Sequence, residues 1–232
     1  MVSKYAMVNY IVRGKEYEVM IKRIIFDVDD TLIDWKDEYD KVINNIVENL
    51  NIQCSNETIE KIREGFNNYD FENYTFSKEK MSEYINKYVG MNLPKDLIYD
   101  VIEGWGKCAP SNLDKELGSL LDYLSNKYEL VCLTDWFEKP QINRLKIGGI
   151  YKYFKNIYSA ENTKRKPFKE AFERAIGEFL PEECVMVGDN LERDIKGAIE
   201  NGLQAIWYNR EGKITELNCK VIKNLNELKE IL

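Results

Sequence analysis

Short apolar runs that stop abruptly at carboxylate or hydroxyl groups recur along this chain, and their order limits what it can fold into. Ile24-Ile25-Phe26 leads into Asp27-Val28-Asp29-Asp30-Thr31-Leu32, and Leu130-Val131-Cys132-Leu133 leads into Thr134-Asp135. Cys184-Val185-Met186-Val187 leads into Gly188-Asp189-Asn190, with Asp194 following, and Lys166-Pro167 stands between the last two runs. Uniformly apolar runs of this length predict strands buried on both faces. Helical patterns separate them. Leu117, Leu120, Leu121 and Leu124 form one helix face behind a capping Asp114, and Pro140 suits the start of the next helix. Phe168, Ala171, Phe172, Ala175 and Ile176 form another face, and a further helix ends at Gly202. Asn156–Ser159, Gln204–Tyr208 and Val221-Ile222 add strands. Repeated βα units predict an α/β fold, a doubly wound parallel sheet covered on both faces. Ligands bind at the carboxyl ends of the strands in such sheets, where these polar groups fall.

Residues 36–104 break the alternation. Four helical periods follow one another: Val42, Ile43, Ile46, Val47 and Leu50; Ile59, Ile62, Phe66 and Tyr69; Met81, Tyr84, Ile85 and Tyr88; Leu97, Ile98, Val101 and Ile102. Pro94 suits the first turn of the last. No strand pattern interrupts them, so this block is expected to be a helical insertion between residues 20–35 and 105–232. Residues 1–19 stand apart as an N-terminal extension. Within it, Val8–Val12 and a run from Tyr17, joined through Arg13-Gly14-Lys15, are expected to pair as a hairpin.

With 44% hydrophobic residues the chain can bury a sizeable core. A net charge of −7 argues against a nucleic acid polymer as partner, and Lys164-Arg165-Lys166 is too short a basic cluster to reverse that. No segment is apolar for long enough to span a bilayer. The five cysteines (Cys54, Cys108, Cys132, Cys184 and Cys219) lack paired spacing, which points to a reducing, cytoplasmic setting. Histidine is absent, which disfavours zinc.

Each segment has a chemical and a plainer reading. Asp27 and Asp29 would share one face of an extended strand, and at a strand end a turn can bring both to one substrate. Adjacent carboxylates repel, so one retains its proton, giving an ionised nucleophile beside a protonated acid. A solvated acidic turn has the same composition. Thr134 and the neighbouring backbone N–H groups suit a phosphoryl oxygen, though threonine commonly ends strands. The Lys166 ammonium suits an anion, or solvent. Asp189 and Asp194, at a strand-to-helix junction, suit either a cap or Mg²⁺, which prefers oxygen ligands.

Taken together, these segments resemble the four motifs of the haloacid dehalogenase-like (HAD) superfamily, in the right order and over residues 20–232. Its pattern is an apolar run before DxDxT, an apolar run before Thr or Ser, a lysine commonly before proline, and GDxxxxD, matched here by Gly188 to Asp194. The resemblance implies a Rossmann-like core over 20–35 and 105–232 and an all-helical cap over 36–104. It implies that Asp27 is the nucleophile forming an aspartyl-phosphate and that Asp29 is the acid and then the base. Thr134 and Lys166, with Asp135 beside them, would bind the substrate phosphoryl group. Mg²⁺ would be held by Asp27, the Asp29 carbonyl and Asp189, with Asp194 as a further or supporting ligand.

Asp29 argues against a true dehalogenase, because relatives that expel halide lack this second carboxylate. The expected activity is hydrolysis of a small phosphorylated metabolite. A sugar-phosphate mutase and a non-catalytic HAD-like binding protein are the alternatives. The wording around Asp27–Asp34 and Met186–Leu191 is closest to 5′-nucleotidases and N-acylneuraminate-9-phosphatases. Tyr69, Phe71, Tyr74, Phe76, Tyr84 and Tyr88 offer rings for stacking a nucleobase, or ordinary core. Asp135-Trp136 departs from the small pair common in relatives; Trp136 either narrows the site or packs beneath the helices.

Overall fold

The computed structural model describes residues 7–12, 15–35, 41–45, 55–110 and 113–232. Its centre is a six-stranded sheet of β3 (Arg23–Phe26), β4 (Glu129–Thr134), β5 (Asn156–Ser159), β6 (Cys184–Gly188), β7 (Gln204–Tyr208) and β8 (Lys220–Ile222). The spatial order is β5-β4-β3-β6-β7-β8, with every neighbouring pair parallel. From β3 the chain winds outward through β4 to β5, then crosses to β6 and winds the other way. The reversal falls between β3 and β6, where such sheets open a crevice. Asp27 directly follows β3 and Asp189 directly follows β6, so topology alone brings these two carboxylates together.

Alternation along the strands feeds two apolar layers, as expected for a sheet covered on both faces. Ile24 and Phe26 pack with Leu117, Leu120, Leu121 and Leu124 of α5 (Leu117–Ser125). Ile25, Val131 and Met186 pack instead with Ala171, Phe172 and Ala175 of α7 (Lys169–Ile176). Asp114 lies two residues before the cap it was expected to form: its Oδ1 accepts the Glu116 N–H at 2.8 Å, and Glu116 is the residue that caps α5.

Residues 41–45 form α1, followed by α2 (Asn56–Glu72), α3 (Lys78–Val89) and α4 (Lys95–Trp105). Ser55 and Ser77 cap α2 and α3 with their side chains, and Gly90 ends α3 in the left-handed region. Pro94 lies one residue outside α4, as its cap. Of the first expected helical period, Ile46, Val47 and Leu50 lie outside the described residues, as do Cys54 and the Phe71 side chain. These helices share a third apolar cluster, containing Ile62, Phe66, Tyr69, Ile85, Ile98 and Trp105, which rests on Phe137 and Ala160 of the sheet region. The segment is not wholly without extended pairing: Thr75 and Phe76 bridge to Lys164 and Glu161, beside the loop that carries Lys166. Separately, β1 (Met7–Val12) and β2 (Lys15–Met20) pair antiparallel, with Lys15, expected in the turn, opposite Val12.

Candidate active site

The first acidic segment folds as a tight turn at the end of β3. The Ile33 carbonyl accepts the Asp30 N–H, and the Val28 carbonyl accepts the N–H groups of Leu32 and Ile33. Asp30 takes the left-handed conformation (φ 61°), which aspartate tolerates better than most residues. This turn carries Asp29 out of the strand direction, so Asp27 and Asp29 line one cavity of about 670 Å³. Asp30, Asp135, Lys166, Asp189 and Asp194 line it too.

Lys166 is 2% exposed and sits at the centre of the charges. Its Nζ lies 2.5 Å from Asp27 Oδ1 and 2.7 Å from Asp194 Oδ1. Burial opposes its charge, yet Asp194, Asp27 and Asp135 hold its pKa well above the usual lysine value. The Asp135 carboxylate accepts the Lys166 backbone N–H at 2.9 Å, which anchors the lysine loop against the end of β4. Thr31, to which the sequence assigned no separate role, ties two motifs together. Its hydroxyl donates to Asp27 Oδ2 at 2.9 Å and accepts the Asp189 N–H at 3.1 Å. Thr134 is placed differently from the others: it is 1% exposed, and its hydroxyl accepts a hydrogen bond from the Gln141 amide at 2.7 Å.

Asp27, Asp189 and Asp194 each present a carboxylate oxygen within 4.8 Å of the other two. Burial pushes the Asp189 pKa up to about 8, and Asp27 and Asp194 add to the rise. Asp194 is pushed up to about 7, chiefly by burial, with Lys166 opposing and Asp27 reinforcing. An all-oxygen cluster whose negative charges are mutually unfavourable has the donor chemistry of a hard divalent cation site. Gly188 permits this crowding, since a Cβ there would stand 2.3 Å from Asp194 Oδ2.

Asp29 has a separate environment. Gln141 and Arg144 on α6 (Glu138–Ile147) both donate to its carboxylate, Arg144 Nη1 reaching Oδ1 at 2.5 Å. Burial lifts the Asp29 pKa to about 6, Arg144 opposes this, and Asp27 adds to it. Neither α6 residue was singled out from sequence. The available signal was their three-residue spacing, which puts both on one helix face beside Leu145.

The rest of the cavity wall combines the rings of Trp35, Phe66, Trp105 and Trp136 with the polar Asn67, Asp70, Asn190, Glu192 and Arg193. Of the rings expected to offer stacking, the described ones lie elsewhere, and the Phe71 side chain lies outside the described residues. Tyr69 and Phe76 are fully buried in the helical cluster, Tyr84 packs against it, and Tyr74 and Tyr88 are exposed. Trp136 meets both alternatives: it lines the cavity and packs edge-on against Phe76, Trp105 and Phe137.

Residues 24–208 match the model of the haloacid dehalogenase-like hydrolase family. The chain belongs to that family. It is similar to the HAD-hydrolase YfnB of Bacillus subtilis, 27% identical over 229 residues that cover 91% of this chain and 95% of YfnB. A crystal structure of YfnB bound to magnesium superposes with a TM-score of 0.72 at 25% identity, covering 91% of this chain and 98% of that one. A glyceraldehyde 3-phosphate phosphatase of Pyrococcus furiosus is 26% identical, over 91% of this chain and 93% of its own length. The pyrimidine 5′-nucleotidase PynA of Streptococcus pneumoniae is 35% identical over 95 residues, 39% of this chain and 40% of PynA. The fold and the family expected from the motifs therefore hold, and the chain is a HAD-type hydrolase. Among the described residues no helix is long and apolar enough to cross a membrane.

Proposed function

We propose that this protein is a cytoplasmic, Mg²⁺-dependent phosphatase that hydrolyses a small-molecule phosphate monoester through an aspartyl-phosphate on Asp27. The observation that carries this reading is the convergence of Asp27, Asp29, Lys166 and Asp189 on one cavity at the sheet's reversal point. Asp27, Asp189 and Asp194 would hold the cation with the Asp29 carbonyl, and the bound cation would offset the negative charge of the phosphoryl group and its surroundings.

An Asp27 carboxylate oxygen attacks phosphorus, and the bond to the ester oxygen breaks with its electron pair leaving on that oxygen. The proton it needs comes from Asp29, whose raised pKa keeps a protonated fraction available near neutrality. Water then attacks the phosphorus of the aspartyl-phosphate and gives its proton to the Asp29 carboxylate, releasing phosphate and free Asp27. Lys166 neutralises charge on the transferring group, and catalysis rests on positioning and electrostatics. Asp135 serves the phosphoryl pocket by fixing Lys166, and Thr134 would join it only by turning its hydroxyl from Gln141 toward the cavity.

Residues 36–104 act as the cap over a core of 20–35 and 105–232, with 1–19 as an extension. Closure of the helices over the cavity would exclude bulk water while the intermediate forms. The aromatic part of the wall, together with the similarity to a pyrimidine 5′-nucleotidase, favours a nucleoside 5′-monophosphate as substrate. Phosphate release with Mg²⁺ across nucleoside monophosphates and sugar phosphates tests this. Turnover is expected on at least one group, with Asp27→Asn lowering it by at least about 10³-fold while the fold persists. Undiminished release by Asp27→Asn would remove the nucleophile assignment.

A further inference from the structure

Arg144 is fully buried, yet none of the four motifs includes it. Its guanidinium reaches three separate parts of the chain. Nη1 donates to Asp29 Oδ1 at 2.5 Å and to Gln141 Oε1 at 3.1 Å. Nη2 donates to the Asp34 carbonyl at 2.8 Å, where the chain leaves the sheet for the helical segment. The guanidinium carbon stands 3.8 Å from the ring centroid of Trp105, the last residue of α4, where the chain returns. Gly106, next along, is pressed onto the same helix: a Cβ there would stand 2.6 Å from Pro140 Cα. Gln141 extends the system by donating both to Asp29 Oδ2 and to Thr134 Oγ1.

A burial this complete has a chemical reason. A guanidinium carries five donors in a fixed plane and cannot release its charge, so removing it from water costs heavily unless fixed acceptors surround it. Here the acceptors are the Asp29 carboxylate and the Asp34 carbonyl on opposite sides of the first turn and the Gln141 amide oxygen, with an indole face against the cation and Nε alone lacking an acceptor among the described residues. Both connections to the helical segment therefore meet at the group that grips Asp29.

We propose that Arg144, seated on Trp105 and backed by Gln141, is the positioning residue that sets the aim of the Asp29 carboxyl according to where the two connections of the helical segment lie. The inference rests on the phosphatase reading above. Helix placement and proton delivery are then coupled through one guanidinium: when Trp105 or the Asp34 carbonyl shifts, the Asp29 carboxyl shifts with it. Any need for a proton on the leaving oxygen exposes the coupling. An alkyl phosphate has a poor leaving group and depends on Asp29, whereas 4-nitrophenyl phosphate releases 4-nitrophenolate, which departs with little need of a proton.

The test compares kcat and KM on these two substrates, with Mg²⁺, for the full-length wild type and five variants. Arg144→Met and Gln141→Met loosen the carboxyl directly; Trp105→Ala removes the ring beneath the guanidinium and part of the cavity wall, and Gly106→Ala acts only through the return connection. Loss of about 100-fold in kcat is expected on the alkyl phosphate for Arg144→Met, with a few-fold loss on the aryl ester and KM little changed. Arg144→Lys is expected to recover part of the alkyl activity. Gly106→Ala, which touches no group of the site, is expected to show the same split at about tenfold. Equal losses on both substrates in the soluble variants would overturn the proposal and leave Arg144 a packing residue. Should Arg144→Met fail to fold, the split in Trp105→Ala and Gly106→Ala decides the question. A wild type silent on both esters would overturn the phosphatase reading and this inference with it.

Discussion

At the scale of single residues, the site is held by pairs that would be costly to break. Lys166 lies between Asp27 and Asp194 with almost no exposure on any of the three. Lys166→Met would leave two buried carboxylates facing each other, a loss of about 3–5 kcal/mol when a buried ion pair loses one partner. Denaturant unfolding without Mg²⁺ should show this loss. Saturating Mg²⁺ should recover part of the stability, because the cation replaces the missing positive charge, while phosphatase activity stays low. Full stability in the metal-free variant would mean that the carboxylates take up protons at no cost. Most site residues could be read from the chain because each follows a strand whose apolar content announces where it ends. Arg144 and Gln141 could not. Their helix reads Glu-Lys-Pro-Gln-Ile-Asn-Arg-Leu-Lys-Ile, whose many polar residues describe a solvated surface, and only the tertiary fold shows which two turn inward.

At the scale of elements, the close approach of the lysine loop, α7 and the last motif matters most. After β6 the chain winds through a π-helical stretch, Leu191–Lys196, before α8 (Gly197–Glu200). Asn190 caps it by accepting the Glu192 and Arg193 N–H groups, and Asp194 turns back to accept the Asn190 N–H. Gly197 lets this stretch lie against its neighbours, since a Cβ there would meet Pro167 Cβ at 2.8 Å and Phe172 Cε2 at 2.9 Å. Gly197→Ala should therefore cost about 1–3 kcal/mol through overpacking, seen as a lower melting temperature, and should weaken Mg²⁺ binding by moving Asp194. Unchanged stability would mean that Phe172 rotates away freely. The helix itself was legible from Gly202, which marks its end. Its wider first turns were not, because the wider winding depends on how Asp194 folds back toward Asn190. The cavity rings show the same limit. Trp35 precedes the helical segment outside any apolar period, Trp105 extends the last period by one turn, and of the other periodic aromatics Phe66 reaches the cavity while Tyr69 is fully buried.

At the scale of the whole molecule, the acidic cluster links stability to pH and to metal. Asp29, Asp194 and Asp189 have folded pKa values of about 6, 7 and 8 against an ordinary value of 3.8. Between pH 4 and 8 the folded protein thus holds protons at these three groups that the unfolded chain has released. Their contribution to stability falls as pH rises through that window. Mg²⁺ must displace the protons on Asp189 and Asp194, so it binds more tightly at pH 8 than at pH 6. Thermal melts should show the metal-free protein losing stability from pH 6 to pH 8, with a larger upward shift on adding Mg²⁺ at pH 8. Calorimetry should detect proton release on binding at pH 6.5. A Mg²⁺ shift independent of pH would mean that Asp189 and Asp194 are already ionised.

The helical segment keeps its own apolar cluster, apart from the two layers that flank the sheet. Mutations can therefore accumulate around Phe66 and Asn67 without passing through the interior that supports Asp27 and Asp189. A lineage carrying this architecture is free to change what it accepts much faster than what it does. Selection for a new substrate should find its first successes on the helices and leave the strand ends untouched.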